Sequence, residues 1–366
     1  MAKLSKYQQV IEWVKNRIRS SELCAGDKLE SENELSALFG ISRQTIRHAL
    51  ELLVQEGILE RVQGSGTYVK DVRETEEESL ELSKTVTIIS TYVDGYIFPR
   101  ILQSMVRGLE RAGYDAQIMF TNNRLETERR LLIRLLEEKS RNPLIVEPVM
   151  SGIPNPNIKY YRRLKSRGIP ILFFHSYYPE LDIPHISMND EMAGRTAAEY
   201  LIQHGHTKIA GIFKSDDGQG HRRYKGYLKA LLHAGIKIQE DRICWIDTGD
   251  AQNFSDIAEK VQRRLADCTA CVCYNDEVAH ELTQLMKTEK IHLPVDFSMI
   301  SVDNSELARL NPIPLTSVSH PMEALGHKAA EGILRLIQNP DANVTYEFPV
   351  SIEERSSVKA IALSNE

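Results

Sequence analysis

The residues best equipped to do chemistry fall into two groups. The first is the stretch ISRQTIRHAL at 41–50, where Arg43, Gln44, Arg47 and His48 share one face of a short helical pattern. A guanidinium matches the paired acceptors of guanine and a glutamine carboxamide matches adenine, so this face suits base edges in a major groove. The second is a set of polar loops, each following a short apolar run: TYVDGYIFPR at 91–100, PVMSG at 148–152, HSYY at 175–178, KSDDGQGHRRYKG at 214–226, YNDE at 274–277 and VDNS at 302–305. Aromatic faces beside fixed hydrogen-bonding groups are what a sugar requires, because its ring offers both C–H patches and a dense array of hydroxyls. A single such helix or loop also fits a solvated surface, and it is the ordered set that argues otherwise.

The elements around the first group form a recognisable series. Val10, Ile11, Val14 and Ile18 recur at helical spacing, and the turn at CAGDK ends that segment. Ser31 with Glu34 three residues on is a capping-box pattern, and Leu35, Leu38 and Phe39 follow as the expected buried stripe. Gly40 marks a tight turn, Ser42 is a suitable N-cap, and Ile46, Ala49, Leu50, Leu53 and Val54 keep the helical rhythm. Two short helices joined by a glycine turn are a helix-turn-helix, whose second member reads the major groove. ILERV and TYV then flank QGSG, a glycine-rich hairpin that reads as a wing. A phosphate-binding loop is the weaker reading there, since Gly64 and Gly66 have no third glycine, no following lysine and no helix after them.

The total charge does not announce a nucleic-acid partner. The 366 residues carry a formal net charge of −6, but residues 1–70 hold ten Lys and Arg against nine Asp and Glu, which leaves −7 for the rest. A DNA site needs only a local patch. No apolar run approaches the roughly 18 residues of a membrane span, and the first twenty residues lack a signal-peptide core, so a cytoplasmic protein without a membrane partner is expected. The five cysteines make no disulfide framework in such a compartment. Cys268, Cys271 and Cys273 have metal-like spacing, but no nearby ligand completes a tetrahedral set, and they read as buried thiols. No catalytic residue, cofactor or metal is expected: Gly-x-Ser-x-Gly and His-Glu-x-x-His are absent, as is a Gly-x-Gly-x-x-Gly after a strand.

Residues 1–70 are therefore expected to be a winged helix-turn-helix domain and 71–84 a linker, DVRETEEESLELSK, extended by its six acids against two bases. Fourteen residues reach at most about 46–50 Å, enough for two heads to sit on half-sites roughly 34–36 Å apart. From 85 onward the runs TVTIIS, DAQIMF, PLIVEP, IPILFF, KIAGIF, RICWID, TACVCYN and FSMISVD alternate with helical patterns. Apolar strands alternating with helices imply parallel sheets covered on both faces. Over 280 residues divide naturally into two α/β lobes, with the ligand at the carboxyl ends of the strands. The fold class is α/β: a small winged head and a two-lobed body over 85–366.

Two resemblances sharpen this reading. Tyr7, GDKL at 26–29, SENEL at 31–35, FGISRQTIRHAL at 39–50, Gly57 and GSGTYV at 64–69 resemble the GntR family of bacterial regulators across nearly the whole head. The resemblance implies DNA contacts from Glu32, Arg43, Gln44, Thr45, Arg47, Gln63 and Gly66, with Lys6 on a phosphate. Glu30 departs from the proline usual there, which is expected to alter the entry to the second helix. The body resembles the LacI/GalR-type effector domain, itself similar to periplasmic sugar-binding proteins, through NDEMAGRTAAEYLIQHGHTKIAGI at 189–212, RYKG at 223–226, YND at 274–276, LPVDFSMISVDNSELA at 293–308 and PLTSVSHPMEALGHKAAEGIL at 314–334. This implies that Arg223, Asn275 and Asp303 grip hydroxyls, although SVD stands where the family usually has GFD. Tyr92, Tyr96, Glu147 and His175 join them as expected effector-binding residues from the strand-end loops.

The fusion of these two modules resembles the arabinose-operon repressors, which implies L-arabinose as effector. The residues alone reach only a small polar ligand such as a monosaccharide. The expectation is a homodimeric repressor that grips double-stranded operator DNA and lets go when sugar binds. The alternative, a GntR-type regulator carrying an enzyme-like, cofactor-binding α/β domain, has no catalytic motif to support it.

Overall fold

The computed structural model describes residues 5–361 apart from 20–21, 24–25, 63, 71–81 and 139–140. The chain divides into two compact units, Met1–Leu80 and Glu81–Glu366.

The first unit is three helices and a hairpin. Helix α1 (Lys6–Arg19) buries Val10 and Val14 against α3 (Arg43–Gln55), whose Ile46, Ala49, Leu50 and Leu53 form the opposite wall. Each of these larger apolar side chains contributes about 1.5–3 kcal/mol on leaving water. Helix α2 (Glu32–Phe39) starts with the expected capping box, Ser31 accepting from the Glu34 amide while the Glu34 carboxylate accepts from Ser31. Gly40 ends it at φ 61°, a left-handed geometry that glycine adopts without strain. Leu35 is buried, but Leu38 is 62% exposed, so the stripe of α2 is narrower than its spacing implies. Strands β1 (Leu59–Val62) and β2 (Gly66–Val69) pair antiparallel, with Leu59 opposite Val69 closing the core. Glu30 forms an ion pair with Arg17, so the residue that departs from the family pattern ties the entry of α2 to α1.

In the second unit, lobe 1 comprises β3 (Thr85–Ser90), α4 (Phe98–Arg111), β4 (Asp115–Phe120), α5 (Leu125–Glu137), β5 (Leu144–Val146), α6 (Ile158–Ser166), β6 (Ile171–Phe174) and β7 (His185–Met188). Lobe 2 comprises α7 (Asp190–Gln203), β8 (Ile209–Lys214), α8 (Gly218–His233), β9 (Ile243–Ile246), α9 (Thr248–Gln252), α10 (Ala258–Leu265), β10 (Ala270–Cys273), α11 (Asp276–Thr288), β11 (Ser298–Asp303), α12 (Glu306–Leu310) and β12 (Thr316–Ser319). The chain then returns to lobe 1 with α13 (Met322–Gln338) and β13 (Tyr346–Phe348), and ends in lobe 2 with β14 (Ile352–Glu353). The sheet orders are β13-β7-β6-β5-β3-β4 and β14-β12-β11-β10-β8-β9, parallel throughout except for the antiparallel β12–β14 pair.

The eight apolar runs are all strands. β7, β12, β13 and β14 are additional and short: β13 and β14 are exposed sheet edges, while β7 and β12 are buried but interrupted by Ser187, Thr316 and Ser317, so none shows a continuous apolar run. Strand β4 is likewise an edge, and its Ile118 and Phe120 face solvent. The three passages between lobes fall near Asn189, Pro321 and Val350, so the lobes are joined by three strands of chain. Helices α7 and α8 cross closely: a Cβ on Gly194 would lie 1.9 Å from the Arg223 carbonyl oxygen, and one on Gly226 1.9 Å from that of Glu191. This contact brings the start of α7 beside Arg223.

Candidate functional site

On the head, Ser42 caps α3 by accepting from the Thr45 amide, which leaves Arg43, Gln44, Arg47 and His48 exposed on its first two turns. Thr45 is half-buried, its hydroxyl 2.9 Å from that of Ser42. The Glu32 carboxylate is held by Arg47, with Nε at 3.1 Å and Nη2 at 2.8 Å, and by Arg61 at 3.4 Å, while Arg43 lies 3.9 Å away. The Arg47 hydrogen bond, helped by the charges of Arg47, Arg61 and Arg43, holds the Glu32 pKa below the usual carboxylate range against the opposing effect of burial. Glu32 is thus not an isolated acceptor; it gathers three guanidinium groups on one surface. Arg61 was not singled out in the sequence, because a charged strand residue has no signal of its own. Lys6 is exposed at the start of α1. Gly66 opens β2 at φ 141°, with the Lys28 side chain passing where a Cβ would sit. Gln63, expected at the wing tip, lies outside the described residues.

In the body, Tyr92, Tyr96, Glu147, His175, Arg223, Asn275 and Asp303 all line one cleft of about 510 Å³ between the lobes. From lobe 1, Glu147 at the end of β5 accepts from Thr91 N at 2.7 Å, Thr91 Oγ1 at 2.6 Å and Ser90 Oγ at 3.0 Å, and its other oxygen meets His175 Nδ1 at 2.8 Å. From lobe 2, Arg223 donates from Nε to Asp190 at 2.9 Å and from Nη1 to the Tyr274 carbonyl at 2.6 Å, and its Nη2 lies 3.5 Å from Asp303. Tyr96 crosses between the lobes, donating to Asp303 at 2.5 Å and accepting from the Asp276 amide at 3.2 Å. Asn275 has a structural duty as well: its side-chain oxygen caps α11 at the Val278 amide.

The structure adds residues to this set. Lys214 donates to Asp217 at 2.7 Å, Tyr274 donates to the same carboxylate at 3.0 Å, and Gln219, Glu277, Phe98 and Asn123 are among the further lining residues. Lys214 ends β8 and Asp217 lies in the loop after it, so strand-end position was their available signal; what sequence does not show is that they face each other.

The electrostatics follow from burial and pairing. Burial pulls the His175 imidazolium down, but its hydrogen bond to Glu147 and the charges of Glu147, Asp303 and Asp190 outweigh that and raise its pKa. Burial likewise disfavours the Lys214 ammonium, and Asp217 and Asp216 more than compensate. Asp276, beneath the cleft, is pushed up to about 6 by burial and by Asp303, although Ser301, Ser317 and the Ser305 amide donate to it. A second cavity of about 600 Å³ lies at Ser151, Tyr177, Asp190 and Arg222, and its Lys225 is neutralised by Glu191 at 2.7 Å. Among the described residues no cluster of His, Cys, Asp or Glu could hold a metal ion. No helix among them is long and apolar enough to cross a membrane.

Residues 6–69 match the model of the gntR family of bacterial regulatory proteins, and residues 198–358 match that of the periplasmic binding protein-like domain. Among solved structures, the transcriptional regulator CelR–cellobiose complex aligns with a TM-score of 0.68 at 18% identity over 90% of this chain and all of that one. The transcription regulator CcpA of Lactococcus lactis aligns at 0.67 and 24% identity over 76% of this chain and all of that one. Head and body together define a transcription regulator, not an enzyme. The arabinose metabolism transcriptional repressor of Halalkalibacterium halodurans is 35% identical over 91% of this chain and 90% of its own, and that of Geobacillus stearothermophilus is 33% identical over 92% of both. The chain belongs to this family of arabinose metabolism transcriptional repressors. The enzyme-like, cofactor-binding alternative falls with that assignment.

Proposed function

We propose that this protein is a cytoplasmic, homodimeric repressor that binds double-stranded operator DNA through Lys6, Glu32, Arg43, Gln44, Thr45, Arg47, Gln63 and Gly66, and leaves it on binding L-arabinose. The observation that carries the sugar reading is that Lys214, Arg223 and His175 in the cleft each already face a carboxylate, so among the described residues no lysine or arginine there is left uncompensated. Glu147 is paired with His175, Lys214 with Asp217, and Arg223 with Asp190 and Asp303. An anionic ligand would need an uncompensated cation, whereas a neutral polyol exchanges its hydroxyls with groups that are already paired donors and acceptors. Tyr92, Phe98 and Tyr274 supply ring faces for its C–H patches. The names of the family's members favour arabinose among neutral sugars.

Sugar contacts from both lobes stabilise the closed body. A ligand shifts such an equilibrium only by its differential affinity for the two states, so closure must favour a dimer geometry that no longer spans both half-sites. Calorimetric titration with L-arabinose and a panel of pentoses and hexoses, followed by a gel shift with the best binder, tests this. Saturating L-arabinose should weaken operator binding tenfold or more. Operator affinity indifferent to every sugar would refute the reading.

A further inference from the structure

Gly152 is glycine for a reason unrelated to its own backbone conformation, since it is not among the residues with positive φ. It lies in the loop after β5, five residues beyond Glu147, where lobe 1 meets the loop after β8 in lobe 2. A Cβ there would stand 2.8 Å from the Ser215 carbonyl oxygen, 2.8 Å from the Asp217 carbonyl carbon and 2.9 Å from that of Asp216. All three are backbone atoms of a loop anchored by its own bonds, so no flexible side chain can give way. Around this point the lobes are stitched by hydrogen bonds: Gly152 N to the Asp216 carbonyl at 2.9 Å, Gly218 N to Ser151 Oγ at 3.0 Å, and Asn123 Nδ2 to Thr248 Oγ1 at 2.9 Å. Asp216 in turn accepts from Thr248 N at 3.0 Å and Oγ1 at 2.5 Å, which ties the stitches together.

We infer that Gly152 sets how far the lobes close, a positioning residue that governs effector affinity without touching the effector. The same two loops carry Glu147 on one side and Asp217 on the other, with Lys214 at the end of β8 just before the second loop, so the spacing at Gly152 fixes the spacing of the cleft walls. A methyl group at 152 separates the loops, lengthens the Gly152–Asp216 and Gly218–Ser151 hydrogen bonds beyond bonding distance, and destabilises the closed state alone. Since closed packing is bistable and not continuously deformable, the population moves toward the open state. The open body is the form that holds operator DNA in the reading above, on which the effector part of this inference rests.

The test uses the full chain, its Gly152→Ala and Ser151→Ala variants, hydrogen exchange at residues 150–153 and 215–219, calorimetry with L-arabinose, and operator gel shifts without sugar. For Gly152→Ala, exchange in both segments should rise tenfold or more, L-arabinose affinity should fall tenfold or more, and operator affinity without sugar should rise with the open population and not fall. Ser151→Ala, which removes one stitch and adds no bulk, should raise exchange at Gly218 and lower sugar affinity by a smaller factor, about two- to fivefold. Unchanged exchange in Gly152→Ala would overturn the inference, as would unchanged sugar affinity despite faster exchange. Should Gly152→Ala fail to fold, unchanged exchange at Gly218 in Ser151→Ala would overturn it in its place. If the original protein does not bind L-arabinose, the effector assignment fails, while the exchange data still decide whether Gly152 controls closure.

Discussion

Substituting Asp303 by Asn tests the division of labour between head and body. Asp303 is 3% exposed, accepts from Tyr96 at 2.5 Å and lies 3.5 Å from Arg223 Nη2. An asparagine keeps the shape and one acceptor but loses the charge. A hydrogen bond to a charged group contributes about 1.5–3 kcal/mol, against about 1 kcal/mol for a neutral one. A sugar hydroxyl donating to this carboxylate would therefore lose about 1–2 kcal/mol, and a weakened Tyr96 crossing between the lobes adds to it. Sugar affinity should fall by roughly five- to thirtyfold or more, while sugar-free operator affinity stays within twofold, because no operator contact is proposed from Asp303. Calorimetry with L-arabinose and a gel shift at fixed ionic strength read the two quantities. The reasoning is refuted if sugar affinity changes less than threefold, or if DNA binding falls in parallel.

Further outcomes follow from the same geometry. Arg47→Ala should weaken specific operator binding by about 1–3 kcal/mol and leave sugar titrations unchanged. Asp276, held at about 6 against an ordinary value of 3.8, has its protonated form favoured in the fold. Its contribution is fully present below about pH 4 and is lost as pH rises through about 6, a change of about 3 kcal/mol. Because Asp303 is one cause of that elevation, denaturant unfolding of Asp303→Asn should show a shallower loss between pH 4 and 7 than the original protein. His175 is raised above its ordinary 6.5, so its stabilisation is complete below 6.5 and fades as pH rises through the higher folded value. His175→Asn should flatten stability in that window, as read by unfolding at pH 6 and 8. Arg223→Leu would strand the buried Asp190 and Asp303 carboxylates, and unfolding should reveal a loss of about 3–5 kcal/mol in addition to lost sugar binding.

Much of the molecule was legible because local rules and tertiary structure agree. Ser31, Glu34, Gly40 and Ser42 announce the head's helix ends, and the fold satisfies each cap. Buried parallel strands announce themselves as apolar runs; the strand-end rule for Tyr92, Tyr96, Glu147 and His175, together with the family resemblance for Arg223, Asn275 and Asp303, names seven residues that line one cleft. What stayed hidden depends on pairing across long separations. Glu32 reads as an acceptor until Arg47 and Arg61 are seen to grasp it. Lys214 and Asp217 read as isolated charges until Tyr274, just past the end of β10, is seen to donate to Asp217 from 57 residues on. Edge strands such as β13 and β14 have too little buried area to impose a pattern, and the exposure of Leu38 shows that apolar spacing overstates a short helix's buried face. Gly152 is silent in sequence, since only the opposing backbone shows why nothing larger fits.

The central claim is that one cleft in the body controls the grip of a separate head. Operator affinity of the full chain, measured at constant salt with and without saturating L-arabinose, addresses it most directly. A drop of tenfold or more on adding the sugar, absent in Asp303→Asn at the same concentration, is the expected result. An operator affinity that does not respond to L-arabinose, or a response that survives intact in Asp303→Asn, would contradict it.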